Sequence, residues 1–293
     1  MATSIPGVPV FKLYGEQAAW PTPDLLHCES ISERSSQHHW EIKPHRHADL
    51  FQLLFVQRGR ATVDVEGRVS EITEPSIQVI APLCVHGFQF SESIEGYVLT
   101  LGAPLVAQLE AQLGAPLSVL TSSACYPLGA DSRSYNTLFA ALYHEYEGRA
   151  PARELVMSSL VNVLMVWISR RGQQTQATVP KAGTDERNRQ LLGGYIKLVE
   201  QHFREHLTVE TFAHRLNISG VHLNNLCRQL AGKTALQILH ERLMLEAKRN
   251  LTYTTVSVSQ LSDALGFSDP TYFSRFFRRL AGVSPNAFRQ GRE

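Results

Sequence analysis

Two histidines stand two residues apart in the segment PHRHADLFQLLFVQRG, residues 44–59. On a β-strand the rings of His45 and His47 face the same side, because side chains alternate between the two faces. A third ring, His86, follows in the β-type segment APLCVHGFQF, residues 81–90. Imidazole groups bind divalent metal ions or exchange hydrogen bonds with small polar molecules. The three rings therefore predict a polar cluster in a binding pocket, and histidines satisfied inside the fold remain the alternative.

Apolar and aromatic residues flank these histidines and can form the walls of such a pocket. Strand alternation cannot seat all of the flanking side chains inside together. The predicted ligand-binding residues are His45, Arg46, His47, Gln52, Phe55, His86 and Phe88. Apolar walls with imidazole or guanidinium donors suit a small aromatic acid, which we expect as the ligand.

A second kind of chemistry is indicated by a short phrase that the chain repeats, LCRQLAGKT at 226–234 and FFRRLAGVS at 276–284. Upstream of each phrase, a residue that caps helices (Thr208 or Ser257) precedes a short apolar-periodic segment. A residue that adopts the left-handed conformation, Asn217 or Gly266, ends that segment. Each copy then offers a serine that can cap the next helix: Ser219 and Ser268.

Helix, tight turn and capped second helix form the helix-turn-helix pattern, although a bundle of helical hairpins shares these features. Solvent-facing side chains near the start of each second helix would enter the major groove of DNA. The predicted DNA-binding residues are Ser219, Val221, His222, Asn224, Asn225 and Arg228 in the first copy, and Ser268, Pro270, Thr271, Ser274, Arg275, Arg278 and Arg279 in the second. Arg275 is the best candidate for a bidentate contact to guanine, and the two serines suit phosphate.

The opposite faces of these second helices are apolar and predict burial. The predicted buried residues are Leu223, Leu226 and Leu230 in the first copy, and Phe273, Phe276, Phe277 and Leu280 in the second. Between the copies, LQILHERLMLEAKRNL (236–251) predicts one continuous helix of roughly 24 Å, a rigid spacer for two groove-binding units.

Charge and composition support a division into an N-terminal ligand-binding part and a C-terminal DNA-binding part. The 293 residues suffice for about two domains, and 43% of them are hydrophobic. Residues 1–187 hold 14 Lys and Arg against 19 Asp and Glu, whereas residues 188–293 hold 14 against 8. Net charges of −5 and +6 leave only the C-terminal part with the sign of a polyanion binder. The four scattered cysteines form no CxxC pair, which favours a reducing compartment, and we expect a cytoplasmic protein without a secretory signal or membrane span.

Secondary-structure patterns divide the chain at a polar linker, residues 172–188. Short β-type runs with turn punctuation fill residues 10–101 and predict an antiparallel sandwich or barrel. Residues 103–171 shift toward a helical period, and the second of two helical segments there is apolar over much of its circumference. The prediction is therefore an α+β chain with a β-barrel sensor and dimerisation domain at 1–171, flanked by helices, and an all-α DNA-binding domain at 189–293.

The C-terminal residues resemble the DNA-binding domain of the AraC/XylS family of transcription regulators. The stretches RLMLEAKRNL and ALGFSDPTYFSRFFRRLAGVSPNAFR carry the resemblance, and Pro285, Phe288 and Arg289 stand where the family places them. The resemblance implies two helix-turn-helix units that bind double-stranded DNA and contact RNA polymerase. It further implies a homodimer and, as the commoner outcome in the family, an activator.

The N-terminal residues resemble the cupin sensor domain of the same family. In metal-dependent cupins, positions like those of His45, His47 and His86 supply ligands together with a glutamate, and Gln52 stands at the glutamate position here. We therefore assign no metal and no cofactor. A metal-dependent cupin enzyme, or a metal sensor fused to a DNA-binding domain, remains the alternative.

Taken as a whole, the sequence also resembles the 4-hydroxybenzoate-responsive regulators of the pob operon type. This resemblance implies control of an aromatic catabolic operon by an aromatic carboxylate such as 4-hydroxybenzoate. Nucleophilic catalysis has little support, since no GxSxG stretch occurs, and we expect a regulator rather than an enzyme.

Overall fold

The structure, a computed structural model, describes residues 25–174 and 184–291. The described residues form two compact units, one over residues 25–174 and the other over residues 184–291. The first is an antiparallel β-sheet domain with helices and the second is entirely helical, so the predicted α+β fold class is confirmed.

The first unit contains nine strands and four α-helices in its described residues. They are β1 (Leu26–Ser30), α1 (Ile31–Ser36), β2 (Glu41–His45), β3 (Leu50–Arg58), β4 (Ala61–Val65), β5 (Arg68–Ile72), β6 (Ser76–Ile80), β7 (His86–Phe90), β8 (Glu95–Gly102), α2 (Ala103–Leu113), β9 (Ala124–Pro127), α3 (Ser132–Glu147) and α4 (Arg153–Gln174). One sheet has the strand order β1-β8-β3-β6-β9 and the other β2-β7-β4-β5, with antiparallel pairing in both.

The core of this unit lies between the two sheets. Leu54 and Val56 of β3 belong to one apolar cluster with Val63, Phe88 and Phe90 of the other sheet. Successive side chains of a strand point to opposite faces, so the odd-numbered residues of β3 face away from this cluster.

Helices α3 and α4 pack against each other, and their buried residues include Phe139, Leu164 and Ile168. Helix α4 still leaves Leu155 and Val163 exposed. No helix among the described residues combines the length and the apolar character needed to cross a membrane.

The second unit begins with α5 (Thr184–His202), followed by a short 3₁₀ turn at Phe203–Glu205. The further helices are α6 (Val209–Arg215), α7 (Gly220–Ala231), α8 (Ala235–Tyr253), α9 (Val258–Ala264), α10 (Pro270–Ala281) and α11 (Pro285–Gln290). Helix α8 has 19 residues, about 28 Å, and is thus longer than the 16-residue spacer predicted from the sequence. The hydroxyl of Tyr195 in α5 donates a hydrogen bond of 2.7 Å to the carbonyl of Ala235, which ties α5 to the start of α8.

The predicted linker overlaps both units at its ends. Helix α4 runs to Gln174 and α5 begins at Thr184, while residues 175–183 lie outside the described part of the chain. The same holds for residues 1–24 of the predicted first domain and residues 292–293 of the second.

Candidate functional site

Two helix-turn-helix units, α6–α7 and α9–α10, stand before and after α8 in the second unit. The predicted caps are confirmed at three helices: Thr208, Ser219 and Ser257 each accept a backbone N–H three residues on, at 3.1–3.2 Å. Asn217 and Gly266 adopt the predicted left-handed conformation, with φ of 56° and 79°. Local chemistry therefore sets the turn and the start of α6, α7 and α9.

The cap of α10 differs from the prediction, because Asp269 rather than Ser268 caps this helix. One Asp269 carboxylate oxygen accepts the N–H of Thr271 at 2.8 Å, and this bond holds the pKa of the carboxyl below its usual value. Pro270 occupies the first helical position, so the cap must be the residue directly before it. Ser268 stays exposed ahead of the helix, as phosphate contact requires.

The exposed side of α7 carries most of the side chains predicted to meet DNA. Val221 is 72% exposed, and His222, Asn225 and Arg228 are also exposed, as is the capping residue Ser219. An apolar side chain this exposed at the start of a recognition helix suits contact with a thymine methyl group.

Asn224 is the exception, and its surroundings contradict the prediction that it reads bases. Its amide nitrogen donates to the carbonyl of Gly220 at 3.2 Å, and its amide oxygen accepts the N–H of Ala235 at 3.1 Å. The amide oxygen is thus used inside the domain, where it satisfies the start of α8.

Helix α10 presents a more basic surface. Thr271, Arg275, Arg278 and Arg279 are exposed, whereas the predicted contact residues Pro270 and Ser274 are half-buried. The three arginines give this helix the charge that phosphate or guanine contacts need.

Two outcomes on α10 differ from the sequence-based predictions. Phe273, Phe276 and Phe277 are buried as predicted, but Leu280 is 46% exposed, so the prediction of its burial is wrong. Tyr272 was missed and is 55% exposed, next to Thr271 on the first turn of α10. Tyr272 lies between the predicted contact residue Thr271 and the buried Phe273. The apolar period that locates the buried face of α10 therefore does not select it.

In the first unit, the three predicted histidines come together at the start of β7 and the end of β2. His45 pairs directly with His86 across the two strands. The ring centroids of His45, His47 and His86 lie 4.3–5.3 Å apart, and all three side chains are buried. The sequence spacing thus located a real cluster of imidazoles.

Backbone carbonyls orient two of these rings. Nδ1 of His45 donates to the carbonyl of Lys43 at 2.9 Å, and Nδ1 of His86 donates to that of Cys84 at 3.0 Å. Burial lowers the pKa of His45 to about 3 and the pKa of His86 well below its usual value, and the neighbouring rings add to both shifts. Both imidazoles are therefore neutral at physiological pH.

A small cavity of about 30 Å³ adjoins this cluster. Its lining comprises Glu29, Ile31, Arg34, Ser35, Ile42, His45, Gln52, Phe88, Phe90 and Val98. The amide nitrogen of Gln52 donates to the Thr100 hydroxyl at 3.4 Å, while its buried amide oxygen has no hydrogen-bond partner among the described residues. Buried acceptors of this kind, here Gln52 Oε1 and His86 Nε2, fit a bound metal ion or polar ligand.

Four of the predicted ligand-binding residues do not line this cavity: Arg46, His47, Phe55 and His86. Phe55 points to the other face of β3, where its fully buried ring stacks on Phe139 of α3 at 4.8 Å, so its assignment to the pocket is wrong. Arg46 follows His45 in the chain and is likewise absent from the wall. Arg34 and Glu29 were missed: they line the cavity from β1 and α1, and their side chains lie 3.7 Å apart. No spacing pattern links either of them to the histidines.

Comparison with known proteins assigns both units to described domain families. Residues 29–164 match the AraC-like ligand binding domain, and residues 212–291 match a helix-turn-helix domain. The chain is 33% identical over 109 residues to the HTH-type transcriptional activator RhaS of Escherichia fergusonii, covering 37% of this chain and 39% of RhaS. It is 29% identical over 94 residues to the HTH-type regulator YisR of Bacillus subtilis, covering 32% of this chain and 33% of YisR. These matches span little more than a third of either relative.

Among solved structures, the DNA-binding domain of AdpA in complex with a target DNA is 31% identical. The alignment covers 34% of this chain and 89% of that domain, with a TM-score of 0.32.

Proposed function

Because the chain belongs to the AraC family of transcription regulators, we propose that it binds duplex DNA through α7 and α10, under the control of a small molecule bound in its β-sheet domain. The observation that carries this proposal is the pair of capped helices with exposed polar faces on either side of α8. Helix α8 is about 28 Å long, and successive turns of B-DNA lie roughly 34 Å apart, so modest bending of DNA lets both helices enter the major groove.

Base reading rests on the side chains that the domain itself leaves unused. In α7 these include Val221 and Asn225, and in α10 they include Arg275. Ser219 and Ser268, next to helix N-termini, suit phosphate.

For the effector we propose a small aromatic carboxylate, with 4-hydroxybenzoate as the first compound to test. Phe88 and Phe90 supply aromatic walls, and Arg34 and His45 supply polar groups at the same cavity. The cavity of about 30 Å³ is too small for an aromatic ring, because ligand pockets usually measure some 300–1,000 Å³. Binding must therefore enlarge it, and this expansion provides a physical route from ligand to conformational change.

The control we propose is activation of an aromatic catabolic operon by a dimer that contacts RNA polymerase. The exposed apolar residues Leu155, Val156 and Val163 of α4 support dimerisation, since such residues favour a partner surface. The ligand activates only if it binds the active arrangement more tightly than the inactive one.

Footprinting of the full chain on the DNA upstream of its own gene tests the proposal. Two protected segments about one helical turn apart are expected, and their protection or spacing should change with 4-hydroxybenzoate. Absence of protection at low salt would refute DNA binding by α7 and α10. Protection unaffected by the acid, together with no thermal shift at millimolar concentration, would refute this effector while leaving DNA binding intact.

A further inference from the structure

The buried imidazoles of His45, His47 and His86 form one group in the first unit, and the proposed function assigns a role to His45 alone. The ligand atoms of His45, His47 and His86 all lie within 4.8 Å of one another. We propose that these three residues bind one divalent transition-metal ion. The proposal concerns the β-sheet domain alone and depends neither on the effector nor on the DNA sequence.

The orientation of the rings supports this proposal. A carbonyl oxygen only accepts hydrogen bonds, so the contacts to Lys43 and Cys84 place the hydrogen of His45 and of His86 on Nδ1. Nε2 of each ring then carries the lone pair that a metal ion needs. Metal-binding histidines are commonly held in this way, with the second ring nitrogen donating to a backbone carbonyl.

Burial of these nitrogens argues against a purely structural role. Nε2 of His86 is buried and has no hydrogen-bond partner among the described residues. A buried acceptor without a partner destabilises the fold, whereas an apolar side chain of similar volume would not. A metal ion satisfies the lone pair of His86 and uses the neighbouring rings as well.

The separations are within reach of metal coordination. Imidazole nitrogens bind zinc at about 2.0–2.1 Å, which places nitrogens around a tetrahedral ion roughly 3.4 Å apart. The ligand nitrogens, which lie within 4.8 Å of one another, must therefore approach by up to about 1.4 Å when an ion binds. Three protein ligands suffice at zinc sites that keep one position open. A carboxylate as the fourth ligand is therefore not required.

The donor set selects the class of ion. Neutral imidazoles favour zinc, nickel, cobalt, iron or copper over magnesium and calcium, which prefer oxygen. The unpartnered amide oxygen of Gln52 lies on the same cavity wall as His45 and is also neutral. None of these donors is anionic, so they leave the charge of a bound dication uncompensated.

Cobalt titration of the untagged full chain, stripped of metal with a chelator, tests the site. We expect one Co²⁺ per chain with visible absorption bands typical of coordinated cobalt, loss of the bands when Zn²⁺ is added, and a higher Tm with Zn²⁺. His47→Ala and His86→Ala should each weaken cobalt binding about tenfold or more, because even the loss of a residue that only orients a metal ligand commonly lowers metal affinity by that factor. His144→Ala, at an exposed position of α3, is the matched control and should bind like the wild type.

Two results would overturn the proposal: a stripped wild-type chain that takes up no stoichiometric Co²⁺ or Zn²⁺ on titration, or His86→Ala that binds as tightly as the wild type. If the histidine variants do not fold, X-ray absorption of the zinc-loaded wild type decides. Three imidazole nitrogens at about 2.0–2.1 Å are then expected. A bound ion with fewer than two imidazole ligands would refute the assignment.

Discussion

The amide oxygen of Asn224 in α7 accepts the backbone N–H of Ala235, the first residue of α8, at 3.1 Å. This N–H is one of the groups at a helix start that have no partner within the helix. Ala235 is fully buried, so water cannot replace the bond. Asn224 therefore joins α7 to the start of α8.

We predict that Asn224→Ala destabilises the protein, whereas Asn225→Ala does not. Loss of the bond to a buried N–H should lower the free energy of unfolding by about 1–2 kcal/mol. Asn225 is exposed one position along, so its replacement should reduce DNA affinity with little change in stability. Urea unfolding and fluorescence anisotropy with operator DNA measure the two effects. An Asn224→Ala variant with wild-type stability and altered base preference would restore the base-reading role.

Arg275 should contribute to sequence selection as well as to affinity. Arg275→Ala is expected to cost about 1–3 kcal/mol of binding free energy on the matched operator and to relax preference at one base pair. Arg275→Lys keeps the charge but loses the planar guanidinium. Compared with Arg275→Ala, it should recover the salt-dependent part of the affinity but not the preference at that base pair. Arg133→Ala, exposed in α3, serves as the control. Equal losses on the operator and all single-base variants would mean that Arg275 contacts only phosphate.

Phe55 should matter for stability and not for ligand binding. Its ring is fully buried against Phe139, so Phe55→Leu should lower the free energy of unfolding by about 1–3 kcal/mol while leaving effector affinity unchanged. Phe88→Leu changes the cavity wall and should alter effector affinity. Thermal unfolding with and without ligand separates the two variants. A parallel loss of ligand response in both would place Phe55 functionally in the pocket.

The sequence predicts those features that local chemistry determines. Thr208 and Ser219 cap their helices, and Asn217 and Gly266 form the turns, because each acts on backbone within a few residues. The spacing of His45 and His47 also pointed to the cluster, although β2 ends at His45 and His47 lies beyond the strand.

Features that depend on distant partners were missed. Asn224 has the polarity of a base-reading residue, and only its contact with Ala235 in the next helix reveals its structural role. Strand β3 is buried on both faces, with Leu53, Leu54 and Phe55 all at most 1% exposed, so no alternation distinguishes the cavity side. The cap of α10 was predicted at Ser268 and lies at Asp269, because an extra residue in the second copy moves the start of the helix past Ser268.

A network of partly buried charges in the second unit predicts a defined pH dependence of stability. Arg242 contacts Glu246 at 3.0 Å and Glu200 at 2.8 Å, and Arg204 also contacts Glu246 at 3.0 Å. Burial alone would raise the pKa of Glu246, but the guanidinium groups of Arg242 and Arg204 outweigh it and hold the pKa below its usual value. Its stabilising contribution is therefore complete above about pH 4.5 and is lost as the pH falls through the lowered value.

Glu246→Gln should accordingly reduce the free energy of unfolding by about 1–3 kcal/mol at pH 7, with a smaller deficit at pH 3. Urea unfolding of both proteins between pH 7 and pH 3 measures the difference. Glu241→Gln, at a more exposed position of α8, is the control and should show a smaller effect. A deficit independent of pH would assign the effect to packing rather than to charge.

Gly266 should be irreplaceable at its turn, in contrast to Gly282. Both have positive φ, 79° and 77°, so alanine costs about 1–2 kcal/mol of conformational energy at either position. A Cβ at Gly266 would lie 1.9 Å from the carbonyl oxygen of Arg204, whereas a Cβ at Gly282 meets nothing within 4 Å. That clash involves backbone on both sides and cannot be relieved by a side-chain rotation.

Gly266→Ala should therefore lose about 3 kcal/mol or more of unfolding free energy, well beyond the loss in Gly282→Ala. Because the contact joins the turn of the second helix-turn-helix unit to the 3₁₀ segment at Phe203–Glu205, the clash should also displace α9 and α10. Urea unfolding gives the stability difference, and operator binding at low temperature, where both variants are folded, reports the displacement. Equal losses in the two variants would show that the turn relaxes away from Arg204, and that strain at positive φ alone sets the cost.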